Sequence, residues 1–123
     1  MKTTLKTEYH NNGQKMEERN YKDGKEEGPL TYWYENGVKG YEWNCMDGKK
    51  EGLYLRWNQW GRKFYEENYK DGKKNALAIE WGFRGKRIEK NYKNGKEDGV
   101  CTWWDGDGNV IVTKTYKDGE VVE

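Results

Sequence analysis

Apolar and polar residues alternate along short stretches of this chain, and the alternation restarts at a fixed interval. In Gly52-Leu53-Tyr54-Leu55-Arg56-Trp57 the residues Leu53, Leu55 and Trp57 fall on every second position. Ala76-Leu77-Ala78-Ile79-Glu80-Trp81 repeats the arrangement with Leu77, Ile79 and Trp81. A period of two marks a half-buried β-strand. Leu5, Thr7 and Tyr9 carry the same row at the start, and Val100, Thr102 and Trp104 near the end. The closing aromatic recurs as Tyr9, Trp33, Trp57, Trp81 and Trp104, at intervals of 24, 24, 24 and 23 residues. No stretch of comparable length shows helical spacing.

A second aromatic row, Tyr21, Tyr69, Tyr92 and Tyr116, with Cys45 in the same place, precedes a turn signal in each repeat. These signals are Asp23-Gly24, Asp47-Gly48, Asp71-Gly72, Asn94-Gly95 and Asp118-Gly119. The other set is Asn12-Gly13, Asn36-Gly37, Trp60-Gly61, Arg84-Gly85 and Asp107-Gly108. Such dipeptides suit two-residue hairpin turns, where both central residues need positive φ. The spacing predicts an all-β fold: a single domain over residues 1–123, built as a β-meander of about ten strands. A one-layer sheet has no partner layer and must twist until one face partly closes on itself. The alternation places the Trp/Leu row and the Tyr row on that inner face. Glu18, Glu42, Glu66 and Glu89, with Asn20, Asn44, Asn68 and Asn91, are expected outside. Cys45 and Cys101 then fall on opposite faces, too far apart for a bridge.

Composition sharpens this picture. Charged residues make up 37% of the chain and apolar ones 33%, a balance that favours disorder, but aromatic residues reach 15%. A buried ring hides roughly 150–250 Å², or roughly 4–6 kcal/mol as an upper limit. Seven Trp and ten Tyr therefore replace the usual aliphatic core. Twenty-three Lys and Arg nearly cancel 22 Asp and Glu, giving a net charge of +1 and no electrostatic case for nucleic acid. No apolar run has the length of a membrane span, and the first residues lack a secretory apolar segment. A cytoplasmic setting is the expectation, and two cysteines are too few for a disulfide scaffold.

The run from Tyr21 to Gly37 reads Tyr-Lys-Asp-Gly-Lys-x-x-Gly, then Trp33 and Asn36-Gly37. It resembles the MORN repeat, in particular the variant repeats of the bacterial YwqK-type antitoxin family, over about five units. The resemblance implies a curved antiparallel sheet of hairpins that binds proteins or phospholipid. For the variant type it implies an antitoxin or immunity role. Departures cluster in the third unit and its neighbours: Cys45 for Tyr, Asn75-Ala76 for the Gly before the strand, and Trp60 and Arg84 for the turn Asn.

Chemistry-bearing motifs are sparse. Asp105-Gly106-Asp107-Gly108-Asn109 opens like a calcium loop, but Val110 and Tyr116 stand where that loop needs Gly and Glu. His10, the single histidine, has no Cys, Ser or second His in register, and reads as a solvated turn residue. Glu17-Glu18 and Glu66-Glu67 are split across the sheet by the pleat, so neither pair suits acid–base chemistry. No catalytic residue, metal ligand or cofactor is expected, and the chain reads as a non-enzymatic binding module.

Two surfaces are candidates for binding. Trp60 and Phe83 stand at neighbouring turn tips where no core is available. Tyr41, Trp43 and Tyr65 add rings to the inner face and suit either extra packing or a ligand such as a glycan. The lysines beside the second turns, Lys22, Lys25, Lys49, Lys70, Lys73, Lys93, Lys96 and Lys117, suit anionic lipid, although interleaved aspartates weaken the field. Sheet edges at either end leave self-association open.

Overall fold

In the computed structural model, which describes residues 2–122, the chain folds as one open antiparallel sheet of 13 strands. The strands are β1 (Thr3–Tyr9), β2 (Lys15–Lys22), β3 (Lys25–Trp33), β4 (Lys39–Met46), β5 (Lys49–Trp57), β6 (Lys63–Lys70) and β7 (Lys73–Lys74). There follow β8 (Ala76–Trp81), β9 (Arg87–Lys93), β10 (Lys96–Glu97), β11 (Gly99–Trp104), β12 (Val110–Lys117) and β13 (Glu120–Val122). Connections run between neighbours in sequence, so the sheet is a meander, as the turn spacing predicts. β7 and β8 form one rung interrupted at Asn75, and β10 and β11 another interrupted at Asp98.

The two sets of turns differ. Asp23 (φ 51°) and Gly24 (φ 82°) are both left-handed, and the same holds at Asp47, Asp71, Asn94 and Asp118 with their glycines. These are the expected two-residue hairpins. The other set is wider, which corrects the expectation of two-residue turns there. The Gly37 amide donates to the Tyr34 carbonyl, and the Tyr34 amide donates to the Val38 carbonyl. Only Gly37 of the Asn36-Gly37 pair has positive φ.

Two irregularities recur in each repeat. The register shifts beside the closing aromatic, between Tyr32 and Trp33 and between Arg56 and Trp57, because Gly40 and Phe64 are extra residues on the partner strand. The β8–β9 pair has no such shift, and this missing residue accounts for the 23-residue interval before Trp104. A second shift falls between Arg19 and Tyr21 and between Trp43 and Cys45. In three repeats an asparagine bridges the gap, Asn20 donating to the Pro29 carbonyl, Asn68 to that of Leu77 and Asn91 to that of Val100, whereas Asn44 makes no such bond among the described residues. Gly28 (φ 90°) and Gly99 (φ 105°) take the left-handed backbone this kink requires, and Ala76 adopts it at φ 66° despite its Cβ.

Face assignment needs a correction. Residues opposite one another across a strand pair share a face. Leu53 pairs with Asn68 and Leu55 with Glu66, while Tyr54 pairs with Glu67 and Arg56 with Tyr65. The Trp/Leu row therefore shares its face with the Glu/Asn ladder, and the Tyr row lies on the opposite face. Along the Trp/Leu face each closing Trp is covered by a cation. Lys39 lies over Trp57, Lys63 over Trp81 and Arg87 over Trp104, each cation also paired with Glu42, Glu66 or Glu89. An amphipathic ring under a lysine stem is stable half in water, so this row needs no closed interior.

The inner face is the Tyr-row face alone. Its rungs carry the buried apolar residues Leu30, Cys45, Ala78 and Cys101. Trp33, Trp57, Trp81 and Trp104 are only partly covered, as are Tyr21, Tyr69, Tyr92 and Tyr116. Tyr9 is 59% exposed and is not a core residue, since β1 has a neighbour on one side only. Cys45 and Cys101 lie on the same face rather than on opposite ones, both as free thiols, several strands apart. Burial raises both thiol pKa values.

Candidate functional site

On the inner face, side chains of β3 to β6 form a continuous aromatic tract. Tyr32 and Tyr41 stack at 4.8 Å between centroids, and Tyr41 and Trp43 at 5.2 Å. Trp43 meets Tyr54 at 5.4 Å, and Tyr54 meets Tyr69 at 6.3 Å. The Lys50 ammonium sits over three of these rings, 4.9 Å from Trp43, 4.7 Å from Tyr54 and 5.0 Å from Tyr69. Tyr41, Trp43 and Tyr65 thus lie on the inner face as the sequence suggests, and the first two are locked in the stack.

Beside the tract lies a buried carboxylate. Glu67 is 2% exposed, accepts a hydrogen bond from the Tyr69 hydroxyl at 3.0 Å, and has Lys74 Nζ 2.9 Å from its other oxygen. The lysine contact is an ion pair without the geometry of a directed hydrogen bond. Burial, then the nearby Glu67 charge, holds the Tyr65 and Tyr69 phenols far above the ordinary phenolic range. The close Glu67 carboxylate raises the Lys74 pKa despite its partial burial. Towards the C-terminal half, Ala78 occupies the rung position filled by Leu30, Tyr54 and Cys101 in other repeats. A cavity of about 200 Å³ opens beside it, lined among others by Tyr65, Lys74, Ile88, Lys90 and Tyr92.

Sequence reasoning missed Lys50, Tyr54 and Glu67. Aligning the repeats exposes two of them, since Lys50 and Lys74 replace Glu26 and Glu97, and Glu67 stands where Arg19, Trp43 and Lys90 stand elsewhere. In the first repeat the same positions form a different cluster, with Arg19 donating to Glu17 at 2.6 Å and to Glu26 at 2.9 Å. The inner face is thus individual in each repeat, while the Trp/Leu face is regular.

The turn tips present another surface. Trp60 is 80% exposed and Phe83 is 79% exposed, so neither folds back over the sheet. Arg84 lies 5.3 Å from the Phe83 ring centre in a short 3₁₀ turn, Phe83–Gly85. Both loops lie at the same end of the strands, away from the lysine-bearing turns. No family model matches this chain, and neither does any curated protein.

The remaining motifs serve the scaffold. His10 is half-buried, with Nε2 2.7 Å from the Trp33 carbonyl, so the expected solvated histidine is instead a staple between repeats. Tyr34 does the same one repeat later, donating to the Trp57 carbonyl at 2.7 Å. Asp105 accepts from the amides of Asp107 and Asn109, which explains the calcium-like spelling as a turn cap. Glu17 and Glu18 pair with Arg19 and Lys15 on opposite faces. No helix among the described residues is long and apolar enough to cross a membrane.

Proposed function

We propose that this chain is a non-enzymatic protein-binding module whose contact point is the aromatic rim carrying Trp60 and Phe83. The observation behind this reading is the exposure of two large rings at neighbouring loop tips. Leaving them in water forgoes the burial each would gain in an interface, roughly 4–6 kcal/mol as an upper limit. Exposed aromatics of this kind form interface anchors, and Arg84 beside Phe83 adds a residue type enriched at hot spots. The resemblance to variant MORN repeats suggests the class of partner, a toxin held in check by surface complementarity. The test is capture of partners from the native host by the intact chain and by a Trp60→Ala/Phe83→Ala variant. Loss of a specific partner, with thermal stability unchanged, is expected. Recovery of that partner undiminished rejects the rim.

A second reading rests on the cavity beside Ala78. Its tyrosine walls and the Lys90 ammonium suit a small polar ligand with a flat apolar surface, such as a sugar. Filling the cavity with Ala78→Leu separates the two readings, because it leaves the rim intact.

A further inference from the structure

The five turns at the opposite end of the strands are nearly identical, and in one of them the first turn amide has no acceptor among the described residues, whereas that of Asp23 donates to the Lys2 carbonyl. In three of them a carboxylate from the preceding rung accepts from the first turn amide. Glu27 accepts from Asp47 N–H at 3.1 Å, Glu51 from Asp71 N–H at 3.1 Å, and Asp98 from Asp118 N–H at 3.3 Å. At the fourth turn the corresponding residue is Asn75, and the corresponding amide, that of Asn94, has no acceptor among the described residues. Asn94 itself replaces the aspartate found at the same place in the other turns. Two negative charges are therefore missing from one notch, and the Asn94 amide at its lining is left without an acceptor.

The cations remain. Lys49, Lys70, Lys73 and Lys93 line an open notch with Asp71 as its single carboxylate. None of the four has a carboxylate within ion-pairing distance among the described residues. The equivalent positions one repeat earlier hold Lys25, Lys49 and Lys70 against Asp47, Glu51 and Asp71, equal numbers of each sign. In the following one Lys117 is paired with Asp98. Lys70 and Lys73 face each other directly across the hairpin, an unfavourable like-charge pair that an anion would relieve. The Lys49 stem runs beside Gly72, where an added Cβ would meet it at 3.5–3.7 Å.

We infer that this notch is a binding site for a compact oxyanion of the phosphate class. One anion oxygen takes the place of the missing carboxylate on Asn94 N–H, and the lysines neutralise the rest. The site is independent of the aromatic rim, at the other end of the strands.

The experiment uses ¹⁵N-labelled protein at low ionic strength, titrated with inorganic pyrophosphate. The Asn94 amide resonance is expected to move saturably, while the capped amides of Asp47 and Asp71 stay nearly fixed. Asn75→Glu restores the cap that the other repeats carry and is expected to weaken binding about tenfold or more. A Lys73→Gln/Lys93→Gln variant, which keeps Asn75, is expected to weaken it as well. Co-sedimentation with phosphatidylcholine vesicles, with and without phosphatidic acid, identifies the source. Pyrophosphate binding together with retention on the acidic vesicles, lost in Asn75→Glu, assigns a lipid headgroup, and pyrophosphate binding alone assigns a free phosphate. Uniform movement of all the turn amides, or undiminished binding by Asn75→Glu, overturns the site.

Discussion

Ala76 shows how a single residue can be held against its preference by its neighbours. Its equivalents Gly28, Gly52 and Gly99 all have positive φ, and Ala76 follows them to 66° because the Asn68 bridge fixes the kink. A left-handed L-residue costs about 1–2 kcal/mol. Ala76→Gly is therefore expected to stabilise the protein by about 1 kcal/mol in denaturant unfolding, even though glycine is usually the more costly residue to order. The half-buried tyrosines carry a second prediction. Their raised pKa values mean that the folded chain keeps phenolic protons that the unfolded chain loses near pH ~10. That contribution is fully present below the unfolded pKa and is lost as pH rises through the folded values. The raised Lys74 pKa acts in the same direction. Absorbance titration of tyrosinate should show Tyr65 and Tyr69 ionising only as near-ultraviolet dichroism collapses. Free ionisation of all ten tyrosines around pH ~10, with dichroism intact, rules out the shielded cluster.

Strands and turns were legible because glycine and asparagine chemistry is local. Asp71-Gly72 dictates its hairpin wherever it sits, and Leu53-Tyr54-Leu55 dictates a pleat. Which rows share a face was not legible, because that depends on how many residues each turn and bulge inserts between partners. Phe64 shifts the register, and the wider loop between Trp57 and Lys63 sets Trp57 opposite a lysine. Hydrophobicity alone then grouped Trp57 with Tyr69, although the pairing separates them. The candidate site was legible in part. Trp60 and Phe83 stood out as aromatics at turn tips, whereas Lys50 and Glu67 carry meaning only through rings and phenols brought in from other strands. The asparagine bridge gives an element-scale prediction. Asn68→Ala removes the bond to the Leu77 carbonyl and is expected to cost about 1 kcal/mol. Asn44→Ala, whose carboxamide makes no equivalent bond among the described residues, is expected to cost less. Equal costs in matched denaturant curves mean that the bridge contributes nothing specific.

Over the whole molecule, each rung is buried mainly by the rungs beside it, so stability is the sum of neighbouring interfaces rather than the property of one centre. The two cysteines are natural probes of this arrangement. Cys101 is 0% exposed and Cys45 is 3% exposed, so static accessibility gives neither an advantage in reacting with a thiol reagent. Burial raises both pKa values, so modification requires the local sheet to open. Cys45 on β4 lies deep in the array, where opening breaks contacts on both sides. Cys101 on β11 is followed by only β12 and β13, so that end can fray without disturbing β4. In Cys45→Ser and Cys101→Ser variants labelled under native conditions, the remaining Cys101 is therefore expected to react faster than the remaining Cys45. Each 1.4 kcal/mol of difference in opening free energy is worth about tenfold in rate. If both thiols react at one rate, matching global unfolding of each variant, the sheet opens as a single unit. The regular Trp–Lys–Glu face would then be what binds the repeats into one cooperative body.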